Sequence, residues 1–212
     1  MKMTRQFMHL FLVAIMGLWL SSCSSPTPKL NPLSPDDVIV AFGDSLTYGT
    51  GAPKETSYPV ILEKIIGIKV VNEGIPGEET AGSLMRIDSV LEKYHPRLVI
   101  VCVGGNDHLR KRKPEQIKEN LKIIIQHIRN TGADVLLIAP PVFSLSLSVP
   151  DLYAELGEEF GIPVDDTTLA ILLKQPDLKS DYIHLNAAGY KALAESIASM
   201  LKKTGAVDTI ND

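Results

Sequence analysis

Residues 38–45 read Val-Ile-Val-Ala-Phe-Gly-Asp-Ser, an apolar run that ends in three small or polar residues. Similar apolar runs follow at 69–72, 98–103 and 135–139, with a shorter one at 162–164. Near-continuous apolar strands are typical of a parallel sheet that helices cover on both faces. The runs therefore predict the strands of an α/β fold.

The segments between these runs have helical periodicity. The predicted helices span 57–66, 80–94, 114–130, 149–160 and 186–203. Strands that alternate with helices in this way predict βαβ units and one parallel sheet. The 212 residues, of which 45% are hydrophobic and 22% charged, fit a single globular domain.

Composition and loop sequences exclude several classes of ligand. The formal net charge of −4 gives no basic excess for binding nucleic acid phosphates. The glycine-rich loop at 104–106 matches neither the dinucleotide fingerprint nor the Walker sequence. No second histidine or cysteine cluster accompanies Asp181 and His184 at ligand spacing. We therefore expect no nucleic-acid partner, no metal and no cofactor.

The first 22 residues have the pattern of a secretory signal peptide, with Lys2 and Arg5 before an apolar stretch at 7–20. The next residue, Cys23, follows Leu-Ser-Ser, which resembles the lipobox of bacterial lipoproteins. That resemblance implies a lipidated Cys23 and a membrane anchor in the bacterial cell envelope, at the outer membrane facing the periplasm. An ordinary signal peptide with an incidental cysteine remains the alternative.

The proline- and serine-rich segment at 23–36 predicts a flexible tether between the lipidated cysteine and the domain. The domain itself is predicted at 37–204, followed by a C-terminal tail at 205–212. Cys102 lies in an apolar run, where cysteine is a small buried hydrophobe, so we expect no disulfide.

Small and titratable residues follow several of the predicted strands. In open α/β sheets, ligands bind at the carboxyl ends of the strands. Gly43, Asp44 and Ser45 follow the first strand, and residues 73–77 and 104–107 follow the second and third. Residues 181–184 precede the last helix. We expect these groups to meet at one edge of the sheet.

These groups supply the parts that a nucleophilic serine needs: a base, an acid that orients the base, and donors for the oxyanion. Ser45 is the candidate nucleophile, His184 the candidate base, and Asp181 the candidate acid. The N–H groups of Ser45 and Gly74 and the amide of Asn106 are the candidate oxyanion hole. Each part alone also fits a structural role, such as a capping serine or a glycine-rich turn.

The four blocks together carry a family resemblance. Gly43-Asp44-Ser45-Leu46, Gly74, Gly104-x-Asn106-Asp107 and Asp181-x-x-His184, in this order and spacing, resemble the SGNH hydrolases, also called GDSL esterases and lipases. The resemblance covers 38 to about 200 and is closest to arylesterases, acyl thioesterases and lysophospholipases. It implies a flavodoxin-like three-layer α/β/α sandwich with a parallel five-stranded sheet in the order 2-1-3-4-5. It also implies acyl-enzyme chemistry without a metal.

The resemblance implies a serine esterase that acts on a small-molecule or lipid ester. Alternatives are a carbohydrate O-acetylesterase, an acyltransferase, or a lipid- or glycan-binding lipoprotein on a hydrolase scaffold. Tyr182 stands where many members carry glycine, which alters the expected pocket rim. The residues predicted to contact the substrate are Asp44, His108, Phe143, Leu145 and Ile183.

Overall fold

The computed structural model describes residues 28–144 and 146–208. The predictions for the signal peptide at 1–22, for Cys23 and for Leu145 lie outside the described residues, as do residues 209–212 of the predicted C-terminal tail. Within the described part of the chain, no helix is long and apolar enough to cross a membrane.

Five parallel strands form a single sheet. They are β1 (Val38–Gly43), β2 (Lys69–Gly74), β3 (Leu98–Cys102), β4 (Asp134–Ile138) and β5 (Val164–Asp165). Their order is β2-β1-β3-β4-β5, which confirms the predicted order. The last strand begins later than predicted because the Ile162 N–H donates to Gly157 O and closes the preceding helix.

Eight α-helices surround the sheet in the described part of the chain. They are α1 (Ser45–Tyr48), α2 (Tyr58–Ile66), α3 (Thr80–Tyr94), α4 (Gly105–Leu109), α5 (Pro114–Asn130), α6 (Leu152–Phe160), α7 (Thr168–Leu173) and α8 (Ala187–Thr204). Short 3₁₀ turns occur at Lys54–Thr56 and Pro176–Leu178. The predicted helix at 149–160 begins three residues late, since Val149 precedes Pro150 and the residue before proline disfavours the helical conformation.

The sheet separates two hydrophobic cores. Ile39 and Ala41 of β1 face a core that includes residues of α2, α7 and α8. Val40 and Phe42 face a second core with residues of α3, α5 and α6. Because both faces of the sheet are covered, the fold is the predicted three-layer α/β/α sandwich. The strands are apolar on both faces for the same reason.

Residues 29–34 form an N-terminal strap that packs against the domain. Leu30 is 7% exposed, and its N–H donates to Thr204 O at 3.1 Å. The Asn31 backbone N–H donates to the Asp134 carboxylate at 2.7 Å, and the Asn31 amide donates to the same group. The prediction of a flexible tether over all of 23–36 is therefore wrong for the strap. Its proline-rich composition obscured the two leucines, Leu30 and Leu33, that contact the core.

The C-terminal boundary of the domain also lies beyond the predicted residue 204. Ala206 is fully buried and Val207 is 7% exposed. The Leu33 N–H donates to Ala206 O at 2.8 Å, so the strap and the end of the chain stabilise each other. Residues 205–207 therefore belong to the domain rather than to a tail.

Substitution of the strap leucine should destabilise the protein. Leu30→Ala removes a buried side chain, and we expect it to lower the free energy of unfolding by about 2–3 kcal/mol. Urea denaturation of the chain that begins at Ser24 measures this change. The matched control is Asp36→Ala, an exposed site, which should change the free energy by less than about 0.5 kcal/mol. Equal stability of the two variants would contradict the packed strap.

Candidate active site

The turn after β1 places Ser45 at the carboxyl edge of the sheet. A Cβ atom on Gly43 would lie 2.2 Å from Cys102 O, so the close approach of β1 and β3 requires glycine there. Asp44 caps α1, since its Oδ1 accepts the Leu46 N–H at 3.0 Å. Ser45 is the first residue of α1 and is 8% exposed, so its hydroxyl lies at the start of a helix.

A continuous chain of hydrogen bonds joins the three predicted catalytic residues. His184 Nε2 lies 2.9 Å from Ser45 Oγ, and His184 Nδ1 lies 2.8 Å from Asp181 Oδ2. The His184 side chain is 14% exposed, whereas that of Asp181 is 51% exposed. The structure therefore brings together the groups that the sequence predicted as nucleophile, base and acid.

The loop before α8 holds the Asp181 carboxylate in place. Asp181 Oδ1 accepts hydrogen bonds from the backbone N–H groups of Ile183 and His184, both at 2.8 Å. Partial burial raises the pKa of Asp181, but the hydrogen bonds from the His184 side chain and these two N–H groups outweigh it. The pKa of Asp181 therefore lies below its usual value, and the group is ionised at neutral pH.

The predicted oxyanion donors lie around Ser45, but two of them have acceptors within the protein. Asn106 Nδ2 donates to Asp44 Oδ2 at 3.2 Å and to Glu78 O at 3.0 Å. The Gly74 N–H donates to Asn72 Oδ1 at 2.9 Å. The Ser45 N–H begins α1 and has no acceptor within that helix. A bound oxyanion would have to compete for the other two donors.

Asn72 is a site residue that the sequence analysis did not identify. Its Nδ2 donates to Thr47 O at 2.9 Å, while its Oδ1 accepts from Gly74. This amide therefore connects the end of β2 with α1. Gly74 itself must be glycine, because a Cβ there would lie 2.2 Å from Tyr48 N. In the sequence, Asn72 was indistinguishable from the end of an ordinary strand.

Asp44 is too deeply buried to contact a substrate, contrary to the prediction. It is 2% exposed and lies beneath the Asn106 amide. Burial raises the pKa of Asp44 from its ordinary value of 3.8 to about 7, helped by the nearby charges of Glu78 and Asp107 and opposed by the hydrogen bonds from Leu46 and Asn106. The carboxyl group therefore titrates near neutral pH.

Three other predicted substrate contacts, His108, Phe143 and Ile183, are described by the structure and differ in their surroundings. His108 is half-buried in the fourth helix, and burial lowers its pKa although the charge of Asp107 opposes the shift. Among the described histidines, His184 is the one that hydrogen-bonds Ser45. A Cβ on Gly105 would lie 3.0 Å from Phe143 Cε2, so the Phe143 ring borders the Asn106 loop. Ile183 is half-buried.

Several exposed apolar side chains follow these groups closely in the sequence. Six large hydrophobic residues are exposed in the described part of the chain, and four of them lie one to three residues after a candidate site residue. These four, the apolar rim, are Tyr48 (38% exposed), Ile75 (44%), Leu109 (43%) and Tyr182 (88%). Exposed apolar surface beside a site is typical of ligand binding. Tyr182 was noted in the sequence, but the other three were not.

Comparisons with known proteins agree with the fold and identify the family. Residues 41–192 match the GDSL-like Lipase/Acylhydrolase family. The chain therefore belongs to this family, and it is an ester-hydrolysing enzyme. This result confirms the resemblance to SGNH (GDSL) hydrolases that the four sequence blocks indicated.

Individual relatives resemble nearly the whole domain. The arylesterase of Vibrio mimicus is 27% identical over 203 residues, which cover 91% of this chain and 99% of the relative. Thioesterase 1/protease 1/lysophospholipase L1 of Escherichia coli (strain K12) is 29% identical over 174 residues, 78% of this chain and 84% of the relative.

Solved structures show the same likeness. The crystal structure of TesA is 28% identical with a TM-score of 0.71, covering 79% of this chain and 99% of that one. The SGNH-hydrolase family esterase AlinE4 is 30% identical with a TM-score of 0.62, covering 81% and 97%. Both comparisons agree with the α/β/α sandwich described above.

The buried carboxyl group of Asp44 should make stability depend on pH. Because its folded-state pKa is raised to about 7, the folded protein holds a proton that the unfolded chain releases above about pH 4. Stability is therefore lost as the pH rises between these two values. The Asp44→Asn variant lacks the titrating carboxyl group, so its stability does not show this loss. From pH 4.5 to pH 8, its free energy of unfolding should therefore rise by about 3 kcal/mol relative to that of the wild type.

Urea denaturation at both pH values measures this difference. Asp36→Asn, at an exposed carboxylate, is the matched control and should follow the wild type. A constant difference between Asp44→Asn and wild type over this range would contradict the raised pKa.

Proposed function

We propose that the protein is a serine esterase that hydrolyses carboxylic esters through a triad of Ser45, His184 and Asp181. The observation that carries this proposal is the unbroken hydrogen-bond chain from Asp181 Oδ2 through His184 to Ser45 Oγ, with distances of 2.8 and 2.9 Å. This arrangement matches the roles that nucleophilic serine catalysis requires.

In the proposed reaction, Ser45 Oγ attacks the ester carbonyl carbon while His184 Nε2 accepts its proton. Asp181 accepts the Nδ1–H and stabilises the imidazolium, which it can do because its lowered pKa keeps it ionised. The alcohol leaves with the proton from His184, and an acyl group remains on Ser45. Water then attacks this acyl-enzyme with His184 again as the base, and the carboxylic acid is released.

The oxyanion is proposed to bind the Ser45 N–H, the Gly74 N–H and the Asn106 amide. Asn106 would exchange Asp44 or Glu78 O for the oxyanion, and Gly74 would exchange Asn72 Oδ1. The acceptors Asn72 Oδ1 and Glu78 O are neutral, whereas the oxyanion is charged. A hydrogen bond from Gly74 or Asn106 therefore becomes stronger when the oxyanion replaces one of these acceptors. Each such donor stabilises the transition state by roughly 2.7–4 kcal/mol.

The apolar rim supports esters with an apolar acyl or aryl group. Tyr48, Ile75, Leu109 and Tyr182 are exposed aromatic or aliphatic side chains that lie within three residues of candidate site residues. An apolar group held there gains free energy on leaving water, at about 25 cal/mol per Å² buried. The names of the relatives, arylesterase and lysophospholipase, point to substrates of the same kind.

We further propose that the enzyme is exported and anchored through a lipid on Cys23 in the bacterial cell envelope, at the outer membrane facing the periplasm. The support is the apolar segment at 7–20, followed by Leu20-Ser21-Ser22-Cys23. Acylation alone would add about 0.8 kcal/mol of membrane affinity for each buried CH₂ group.

Hydrolysis of p-nitrophenyl esters tests the triad. Ser45→Ala and His184→Ala should each lower kcat at least about 10⁴-fold, because each removes a group that acts in the transition state. The readout is kcat for the acetate, butyrate and octanoate esters. Ser89→Ala, at an exposed serine of α3, is the matched control and should keep full activity.

The same panel separates the alternatives. Undiminished hydrolysis by Ser45→Ala would rule out the triad. No hydrolysis of any ester by the wild type would favour the binding protein on a hydrolase scaffold. A strong preference for acetate over the longer chains would favour a carbohydrate O-acetylesterase.

A further inference from the structure

The Arg86 side chain reaches from α3 to the carboxyl ends of β1 and β2. Its Nη2 donates to Glu73 O at 2.9 Å and to Gly43 O at 3.4 Å. The guanidinium lies 4.0 Å from the centre of the Phe42 ring, and the side chain is only 17% exposed. The ends of the two strands and the aromatic ring therefore hold this cation in one orientation.

The contact with Glu73 acts on the neighbouring Gly74. Glu73 O and the Gly74 N–H belong to the same peptide group, which is planar and rigid. A hydrogen bond to the oxygen therefore also fixes the direction in which the N–H points. It polarises the peptide group as well, which strengthens the N–H as a donor. Arg86 thus orients one of the donors proposed for the oxyanion.

The same guanidinium holds Glu78, the residue against which Asn106 rests. Arg86 Nε and Nη2 donate to the two carboxylate oxygens of Glu78 at 2.7 and 2.6 Å. The Ser83 hydroxyl donates to this carboxylate at 2.8 Å, and the Glu78 side chain is 8% exposed. The main-chain oxygen of Glu78 accepts the Asn106 amide at 3.0 Å. Arg86 therefore also supports the position of the second proposed donor.

This set of contacts requires an arginine. A planar guanidinium can donate two parallel hydrogen bonds to a carboxylate and a further one to a carbonyl, whereas lysine has a single nitrogen. Arg86→Lys would keep the positive charge beside Glu78 and lose the fork of donors. A neutral residue would instead leave a buried carboxylate without its cation, which destabilises a protein. Lysine is therefore the substitution that separates geometry from charge.

We propose that Arg86 is a positioning residue for the oxyanion hole, which holds the Gly74 N–H and the Asn106 amide in a common geometry from beneath two different loops. This inference rests on the proposed esterase function and goes beyond it by assigning a residue that does not contact the substrate. Displacement of reacting groups by about 1 Å can slow a reaction on the order of a hundredfold. The guanidinium prevents such a displacement of the two donors.

Hydrolysis of p-nitrophenyl butyrate by Arg86→Lys tests the inference. We expect kcat to fall at least about tenfold, because two donors lose their alignment with the oxyanion. KM should stay within about twofold, since the interaction is made in the transition state. The matched control is Arg97→Lys at the amino edge of the sheet, where Arg97 is half-buried and donates to Gly132 O at 3.2 Å. This control should keep both constants.

A transition-state analogue distinguishes positioning from a general loss of structure. A butyl trifluoromethyl ketone adds to the Ser45 oxygen and forms a tetrahedral adduct whose oxygen carries the negative charge. In Arg86→Lys its inhibition constant should rise by the same factor by which kcat/KM falls. The corresponding trifluoromethyl alcohol has no carbonyl group, and its inhibition constant should not change.

Urea denaturation verifies that each variant is folded under the assay conditions. If Arg86→Lys does not fold, Glu78→Gln replaces it, because this variant weakens the hold on Glu78 and keeps the donor to Glu73 O. Its kcat should fall by a smaller factor at unchanged KM.

Unchanged kcat in the folded variant would overturn the inference, as would a rise of KM alone or an equal loss of binding for ketone and alcohol. Failure of the proposed function has a different signature: the wild-type protein would then neither hydrolyse the ester nor bind the ketone more tightly than the alcohol.

Discussion

The hydrogen bond between Ser45 Oγ and His184 Nε2 joins residues 139 positions apart in the chain, and the other parts of the site are arranged around it. Its length depends on how α8 packs against the sheet. Tyr190 of α8 is fully buried, and its hydroxyl donates to Thr50 O at 2.7 Å, just after α1. The Ser45 hydroxyl and the His184 imidazole are thus positioned by two contacts between the same pair of segments.

A second network holds the loop that follows β2. The Arg86 guanidinium donates to Glu73 O at 2.9 Å and to the Glu78 carboxylate at 2.6 Å, and it stacks on the Phe42 ring at 4.0 Å. Glu78 O in turn accepts from Asn106. A buried polar group without a hydrogen-bond partner destabilises the protein. The side-chain amide of Asn106 and the Gly74 N–H avoid this cost because each donates to an acceptor within the protein.

The sequence predicted the helices and strands that have a clear periodicity, and the site residues that lie next to the ends of these elements. Long amphipathic helices and apolar strands have clear periodicity, and Ser45, Asn106 and His184 follow or precede such elements. Helix α7 was missed, and helices α1 and α4 were missed as well, because four to six residues make fewer than two turns, too few to show a period. Helix α1 forms because Asp44 caps it, and α4 forms because Gly104, with a φ of 116°, allows the sharp turn into it.

The features that the sequence did not predict depend on tertiary contacts between residues that are distant in the chain. Leu30 belongs to the core through partners that lie more than 170 residues away, which no local pattern reveals. Asn72 is significant because its amide bridges Thr47 O and the Gly74 N–H, not because of its neighbours in sequence. The burial of Asp44 likewise follows from the packing of the Asn106 loop above it.

Covalent trapping of the nucleophile tests the central claim most directly. Diethyl p-nitrophenyl phosphate reacts with a serine hydroxyl that a neighbouring base has activated, and p-nitrophenolate is displaced as the serine oxygen bonds to phosphorus. Peptide mass spectrometry should find one diethylphosphoryl group on Ser45, with activity lost in proportion to its occupancy and no labelling in His184→Ala. Labelling of a different residue, or full activity with Ser45 completely modified, would contradict the account.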